Sequence, residues 1–138
     1  MAMMFYLDTS IWIDTCNNRK GFKNEPLGDM GLKLLTMILE QKHSLLITDI
    51  VLKELRVIYS LEQIQSMLLP FQHVIKRGLA TENQVKEAKL IALTRSIPKA
   101  DALHAIIARD SHAILVTRDN HFRKLTDICS FHKPEDII

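Results

Sequence analysis

Four acidic residues stand where apolar segments end or helices begin: Asp8 in FYLDTSIW, Glu54 in TDIVLKEL, Asp101 in IPKADALHAIIA and Asp119 in ILVTRDNHF. An apolar run that closes on a carboxylate is the pattern of a buried parallel strand delivering a side chain to the C-terminal edge of a sheet, where open α/β folds bind ligands. Asp8 and Asp119 fit that description, whereas Glu54 and Asp101 fall in helical patterns. Carboxylates gathered at one edge repel one another by about 3 kcal/mol per pair at ~5 Å and an effective dielectric of roughly 20. They therefore need a cation or must take up protons. All-oxygen ligands without clustered Cys or His favour Mg²⁺ or Mn²⁺ over zinc or copper.

The elements that must position these acids can be read from the apolar spacing. Residues 4–7 form a short, fully apolar run of the kind a buried central strand shows, and Asp8-Thr9-Ser10 supplies the turn and N-cap of a following helix. Residues 17–29, rich in Asn, Lys, Gly and Pro, lack periodicity and are expected to be an exposed loop. Leu32, Leu35, Met37, Ile38 and Leu39 then recur at helical spacing, and residues 45–47 are the next short strand. Thr48 or Asp49 can cap a helix whose stripe is Ile50, Val51, Leu55 and Ile58, with Glu54 beside it. Residues 61–69 read as a helix ended by Pro70, and residues 72–76 as an extended segment or loop. Thr81 to Gln84 matches a capping box opening a helix through about Arg95, with Val85, Ala88, Leu90, Ile91 and Leu93 apolar.

Pro98 suits the start of a helix running to about Ser111, which places Asp101 in its first turn, where the helix dipole favours a negative charge. Residues 113–116 are a further buried strand leading into Thr117-Arg118-Asp119, and residues 128–131 read as a final strand. Strands alternate with helices throughout. That order implies one domain over residues 1–138, a three-layer α/β/α fold with a mainly parallel central sheet and right-handed crossovers.

Composition sets the limits. A chain of 138 residues with 47% hydrophobic and 25% charged residues has the make-up of an ordinary globular domain with a substantial core. A net charge of +2 is too mild to announce nucleic-acid binding. Cys16 and Cys129 match no metal spacing and read as reduced, structural thiols, which suits the cytoplasm. The opening MAMMFYLDTS lacks the basic and apolar regions of a signal peptide, and no stretch is long and apolar enough to span a membrane. The six histidines lack a paired ligand spacing, which argues against zinc.

LDTSIW, VLKEL, ADALHAIIA, VTRDNHF and the terminal KPEDII, taken in this order, resemble the motifs of the PIN domain, a family of small metal-dependent ribonucleases that includes VapC-type toxins. The resemblance spans the whole chain. It implies that Asp8, Glu54, Asp101 and Asp119 form one acidic, catalytic cluster holding Mg²⁺ or Mn²⁺, with Thr9 or Ser10 and Thr117 as hydroxyl neighbours. It further implies RNA as the substrate, cut by water activated at the metal. A toxin would require a protein antitoxin, a processing enzyme would not, and PIN-like proteins often form homodimers. Asn120-His121 departs from the pattern, because many relatives carry a further acid there. Lys99, Arg118, Arg123 and Lys124 flank the acids and are expected to meet the RNA backbone.

Taken singly, each acid has a plainer role: Asp8 as a helix cap, Glu54 and Asp101 as solvated helix residues, Asp119 as a turn former. Asp14, Asp49 and Asp110 read as surface or capping residues, and His104 and His121 as packing or surface residues. Trp12 and Phe122 read as core. Two rival functions remain beside the ribonuclease. One is a catalytically silent PIN-like module that binds RNA or protein, against which the intact acidic set argues. The other is a phospho-acceptor receiver domain, which the missing adjacent acidic pair after the first strand disfavours.

Overall fold

The computed structural model describes residues 2–138. Its five strands are β1 (Met4–Leu7), β2 (Ser44–Thr48), β3 (Ile75–Gly78), β4 (Ile114–Val116) and β5 (Phe131–His132), and all pair in parallel in the order β3-β2-β1-β4-β5. The expected α/β/α class is what the structure shows, with the sheet wholly rather than mainly parallel. β1 is the central strand, and Phe5, Tyr6 and Leu7 are fully buried, which is why it reads as continuous apolar sequence without alternation.

Six α-helices connect and cover the strands: α1 (Thr9–Cys16), α2 (Leu27–Glu40), α3 (Asp49–Ile58), α4 (Leu61–Leu68), α5 (Glu82–Arg95) and α6 (Lys99–Asp110). Their starts follow local chemistry. Asp8 caps α1 by accepting the Ser10 N–H, Thr48 caps α3 by accepting the Val51 N–H, and complete capping boxes open α4 at Ser60 with Gln63 and α5 at Thr81 with Gln84. α6 follows Pro98, so Asp101 lies in its first turn.

Three boundaries differ from expectation. The loop after α1 is shorter than residues 17–29, because α2 already begins at Leu27. Its two glycines depress helix propensity, yet they are what lets α2 approach α1. A Cβ on Gly31 would sit 2.0 Å from the Thr15 hydroxyl oxygen, and one on Gly28 would sit 2.6 Å from the Asn18 Cα and 2.8 Å from the Asp14 carbonyl. Gly28→Ala meets main chain that no rotamer change can move aside. It should destabilise the protein by about 1–3 kcal/mol, read as a drop of several degrees in a thermal melt; an unchanged midpoint would mean the two helices part at little cost.

The strand expected at residues 128–131 begins only at Phe131. The N–H groups of Ile128 and Cys129 turn back to the Leu125 carbonyl, at 2.9 and 3.1 Å, and so cannot enter a ladder. The segment placed at residues 72–76 is resolved as β3, shifted towards Gly78. In α5 only Ala88 is fully buried, while Leu90 and Leu93 are 66% and 83% exposed. Helical periodicity is present there, but two of its six apolar residues face outward.

Candidate metal centre

From β1 the chain crosses to β2 on one side, whereas β4 lies on the other, so the strand order reverses beside β1. In parallel sheets the crevice at the C-terminal ends of such a pair is where ligands bind. Asp8 is the first residue beyond β1, and Thr117 the first beyond β4. The paired register of Leu7 with Val116 brings the two side by side. Asp8 is tightly held: its Oδ1 accepts the Ser10 N–H at 2.7 Å and the Ser10 hydroxyl at 2.6 Å, and its Oδ2 accepts the Thr117 hydroxyl. Thr117 Oγ1 in turn accepts the Asp119 N–H at 3.0 Å. One hydroxyl thus ties the acid after β1 to the acid after β4.

Asp101 reaches the same crevice from the first turn of α6. His121 Nδ1 lies 3.0 Å from Asp101 Oδ2 and 3.0 Å from Asp119 Oδ1, so the imidazole sits between two carboxylates. Burial, and then the neighbouring Asp119 charge, push the Asp101 carboxyl up to about 6, against the opposing hydrogen bond from His121. Glu54 enters from α3, and its Oε1 is 2.9 Å from His104 Nε2. Burial disfavours its ionised form, but His104 and, to a lesser degree, Thr9 together outweigh burial and hold it below the ordinary glutamate value.

All four acids line one cavity of about 350 Å³ together with Thr9, Ser10, Asp14, His104 and Arg118. Three residues in or beside this cavity differ from the sequence expectation. Asp14, taken for a surface residue, is 7% exposed; burial raises its pKa, and Arg118 and Arg19 pull it back. His104 is buried at 3% exposure and touches Glu54 directly. His121 contacts two of the acids. The signals were in the spacing: Asp14 follows Ser10 by one helical turn, and His104 follows Asp101 by three residues.

The basic residues divide. Arg118 points inward, donating from Nη1 to Glu135 Oε2 at 2.7 Å with Nε 3.8 Å from Asp14 Oδ2. Burial opposes ionisation of Glu135, but the hydrogen bond and charge of Arg118, a backbone hydrogen bond and the Lys133 charge together outweigh it and lower its pKa. Arg118 therefore neutralises the protein's own acids. Lys124 Nζ lies 3.4 Å from the Arg95 carbonyl, while Lys99 and Arg123 are exposed and do not line the cavity. Asp49 and Asp110 also lie outside it: Asp49 accepts the Ala80 N–H, and Asp110 pairs with Arg109 and Gln84.

The donor set suits a divalent cation. Asp101, Asp119 and His121 each offer a ligand atom, all within 4.8 Å of one another, and the raised Asp101 pKa marks a place where added positive charge is favoured. Among the described residues no helix is long and apolar enough to cross a membrane.

Comparison with known proteins bears on the whole assembly. The family model for the PIN domain matches residues 5–128. Among solved structures the chain is similar to VapBC2 from Rickettsia felis bound to a DNA fragment from its promoter, at 22% identity and a TM-score of 0.68, covering 95% of this chain and 98% of that one. It is also similar to VapBC-1 from nontypeable Haemophilus influenzae, at 20% identity and a TM-score of 0.67, covering 96% and 99%. A third likeness is to FitAcB from Neisseria gonorrhoeae, at 19% identity and a TM-score of 0.61, covering 96% and 99%. At such identities these likenesses establish the fold alone. Comparison with curated protein sequences finds no significant match.

Proposed function

Because the chain belongs to the PIN domain family, we propose that it is a divalent-metal-dependent ribonuclease acting as an endonuclease, the toxin of a toxin-antitoxin pair. The observation that carries this reading is the gathering of Asp8, Glu54, Asp101 and Asp119 around one cavity at the point where the strand order reverses. A silent binding module has no use for such a cluster, since ionising Asp101 beside Asp119 is costly without a cation.

A cation held there supplies positive charge that polarises the scissile phosphate and acidifies a water for in-line attack. The chain's own residues do the rest. Asp101, Asp119 and His121 offer the convergent ligand atoms, and Asp8, locked by Ser10 and Thr117, presents a fixed carboxylate beside them. The imidazole in the set inclines the site towards Mn²⁺ over Mg²⁺, because nitrogen ligands suit transition metals better. Thr117 keeps Asp8 and Asp119 in register. Exposed Lys99, Arg123 and Lys124, close in sequence to the acids, are assigned to phosphate contact; Arg118 lines the cavity, with Nη1 held by Glu135 and Nη2 without a hydrogen-bond partner.

The antitoxin reading draws on the fold shared with VapBC and FitAB complexes. Exposed Val57, Ile58, Leu61 and Leu69 on and beside α3 and α4 offer apolar surface for a protein partner or for a second copy.

The test is direct. The purified chain should cut RNA with Mn²⁺ or Mg²⁺, more strongly with Mn²⁺, and stop with EDTA. Because water is the nucleophile, the products should carry 5′-phosphate and 3′-hydroxyl ends. Cyclic 2′,3′-phosphate ends, or cleavage that persists in EDTA, would refute the mechanism.

A further inference from the structure

Beneath the acidic cavity runs a chain of buried polar side chains that the cation-binding reading does not use. The Tyr6 hydroxyl on β1 lies 2.8 Å from Thr48 Oγ1 at the end of β2 and 2.6 Å from His104 Nδ1 on α6. His104 Nε2 then meets Glu54 Oε1 at 2.9 Å. Tyr6 and Thr48 are fully buried and His104 nearly so. A Phe and a Leu would fill the same space without polar groups to satisfy, so this chain carries a desolvation cost that packing alone does not require.

The direction of the hydrogen bonds follows from what each group can do. An ionised carboxylate only accepts, so His104 Nε2 carries a proton towards Glu54; in the tautomer with Nδ1 unprotonated, Nδ1 accepts from the Tyr6 hydroxyl. The Tyr6 oxygen then accepts from Thr48, whose own oxygen already accepts the Val51 N–H at 3.3 Å. In this arrangement every buried hydrogen has one acceptor. Reversing the chain would leave the Thr48 hydroxyl hydrogen without one. All the donors therefore point along one line towards Glu54, and each bond polarises the next.

We propose that His104 and Tyr6 are positioning residues: the buried line Thr48-Tyr6-His104 fixes the Glu54 carboxylate at the mouth of the cavity and thereby sets how tightly the cation is held. Glu54 needs such a device. It sits on α3, which buries only Val51 and Leu55, and its side chain is 40% exposed, so packing does not choose its rotamer. Thr48 both caps α3 and anchors the line, so the helix carrying Glu54 and the contact orienting its carboxylate share one hydroxyl. The proposal rests on reading the cavity as a divalent-cation site.

Calorimetric titration of Mn²⁺ into the full chain tests it. His104→Leu should weaken uptake about tenfold, as loss of a group orienting a ligand does, and Tyr6→Phe about threefold. His104→Gln, whose amide nitrogen can still donate to Glu54, should recover most of the loss. Adding His104→Leu to Glu54→Gln should cost little beyond Glu54→Gln alone, because the effect passes through that carboxylate. A purely packing role would instead lower the melting point and leave Mn²⁺ affinity unchanged. Should His104→Leu fail to fold, Tyr6→Phe, which keeps the ring, decides. Wild-type affinity in Tyr6→Phe and in any folded His104→Leu, with weakened uptake in Glu54→Gln, overturns the proposal alone. A wild-type protein that takes up no Mn²⁺ overturns the site reading and the proposal with it.

Discussion

Asp101→Asn is expected to lower RNA cleavage by about a thousandfold and to remove most Mn²⁺ uptake, because the substitution takes a convergent ligand out of the cavity. The same change should make the metal-free protein more stable. Asp101 is mostly buried beside Asp119, and its raised pKa says that ionising it in the empty fold is unfavourable. The two effects therefore run in opposite directions, a signature that damage to the fold does not produce. Asp8→Asn should also impair uptake, with less gain in stability, since Asp8 accepts three hydrogen bonds and an amide cannot accept them all. Cleavage assays, Mn²⁺ titration and melts in chelator read the three quantities separately. Wild-type uptake by both variants would show that the cation is held elsewhere.

A second large effect is expected from pH. With Asp101 raised to about 6 against an unfolded value of roughly 3.9, the folded empty protein holds a proton that the unfolded chain has released. The contribution of Asp101 to stability should therefore be most favourable below about pH 4, fall as pH rises to about 6 by on the order of 2 kcal/mol, and level off above. Burial raises Asp14 and adds in the same direction. Glu54, held low by His104, acts oppositely and in a lower window: its contribution is present above the ordinary glutamate pKa and is lost as pH falls through its depressed value. Metal uptake follows the mirror image, since below about pH 6 the cation must displace the Asp101 proton, and affinity should drop roughly tenfold per pH unit. Melts in chelator from pH 4 to 7 and Mn²⁺ titrations at pH 5 and 7 check both. Asp101→Asn should reduce the fall in the melt profile to the part that Asp14 contributes, and a fall of undiminished size in that variant would assign it to another group.

Much of this arrangement is legible in the chain because the site is built at element ends. A run such as FYL followed by Asp says at once that a strand is buried on both faces and that a carboxylate leaves its end, and Thr81 with Gln84 marks the start of α5 without any tertiary information. What stays hidden depends on close approach between distant segments. The glycines at 28 and 31 look like loop formers until α1 lies against them. Asp14 looks solvated until Arg118 and Arg19 come beside it. His104 sits in an apolar helical stretch where a core histidine is the plain reading, and only the proximity of α3 makes it a partner of Glu54. Arg118 lines the cavity, and only the fold shows that its Nη1 is already paired with Glu135. The outward Leu90 and Leu93 show the converse, because a periodic pattern reports that a helix forms and not which of its faces is covered.

The junction between Asp8 and Thr117 also governs when activity can first exist. The hydroxyl that locks the leading carboxylate is 109 residues away in sequence, and β4, which carries it there, is the fourth of the five strands to be made. A growing polypeptide on the ribosome has its first acid exposed long before any of the cavity can close, and a fragment that stops short of Thr117 lacks both the lock and Asp119. Non-local closure of this sort is slow compared with helix formation. On the proposed ribonuclease reading, such wiring would withhold the chemistry until translation has passed Asp119.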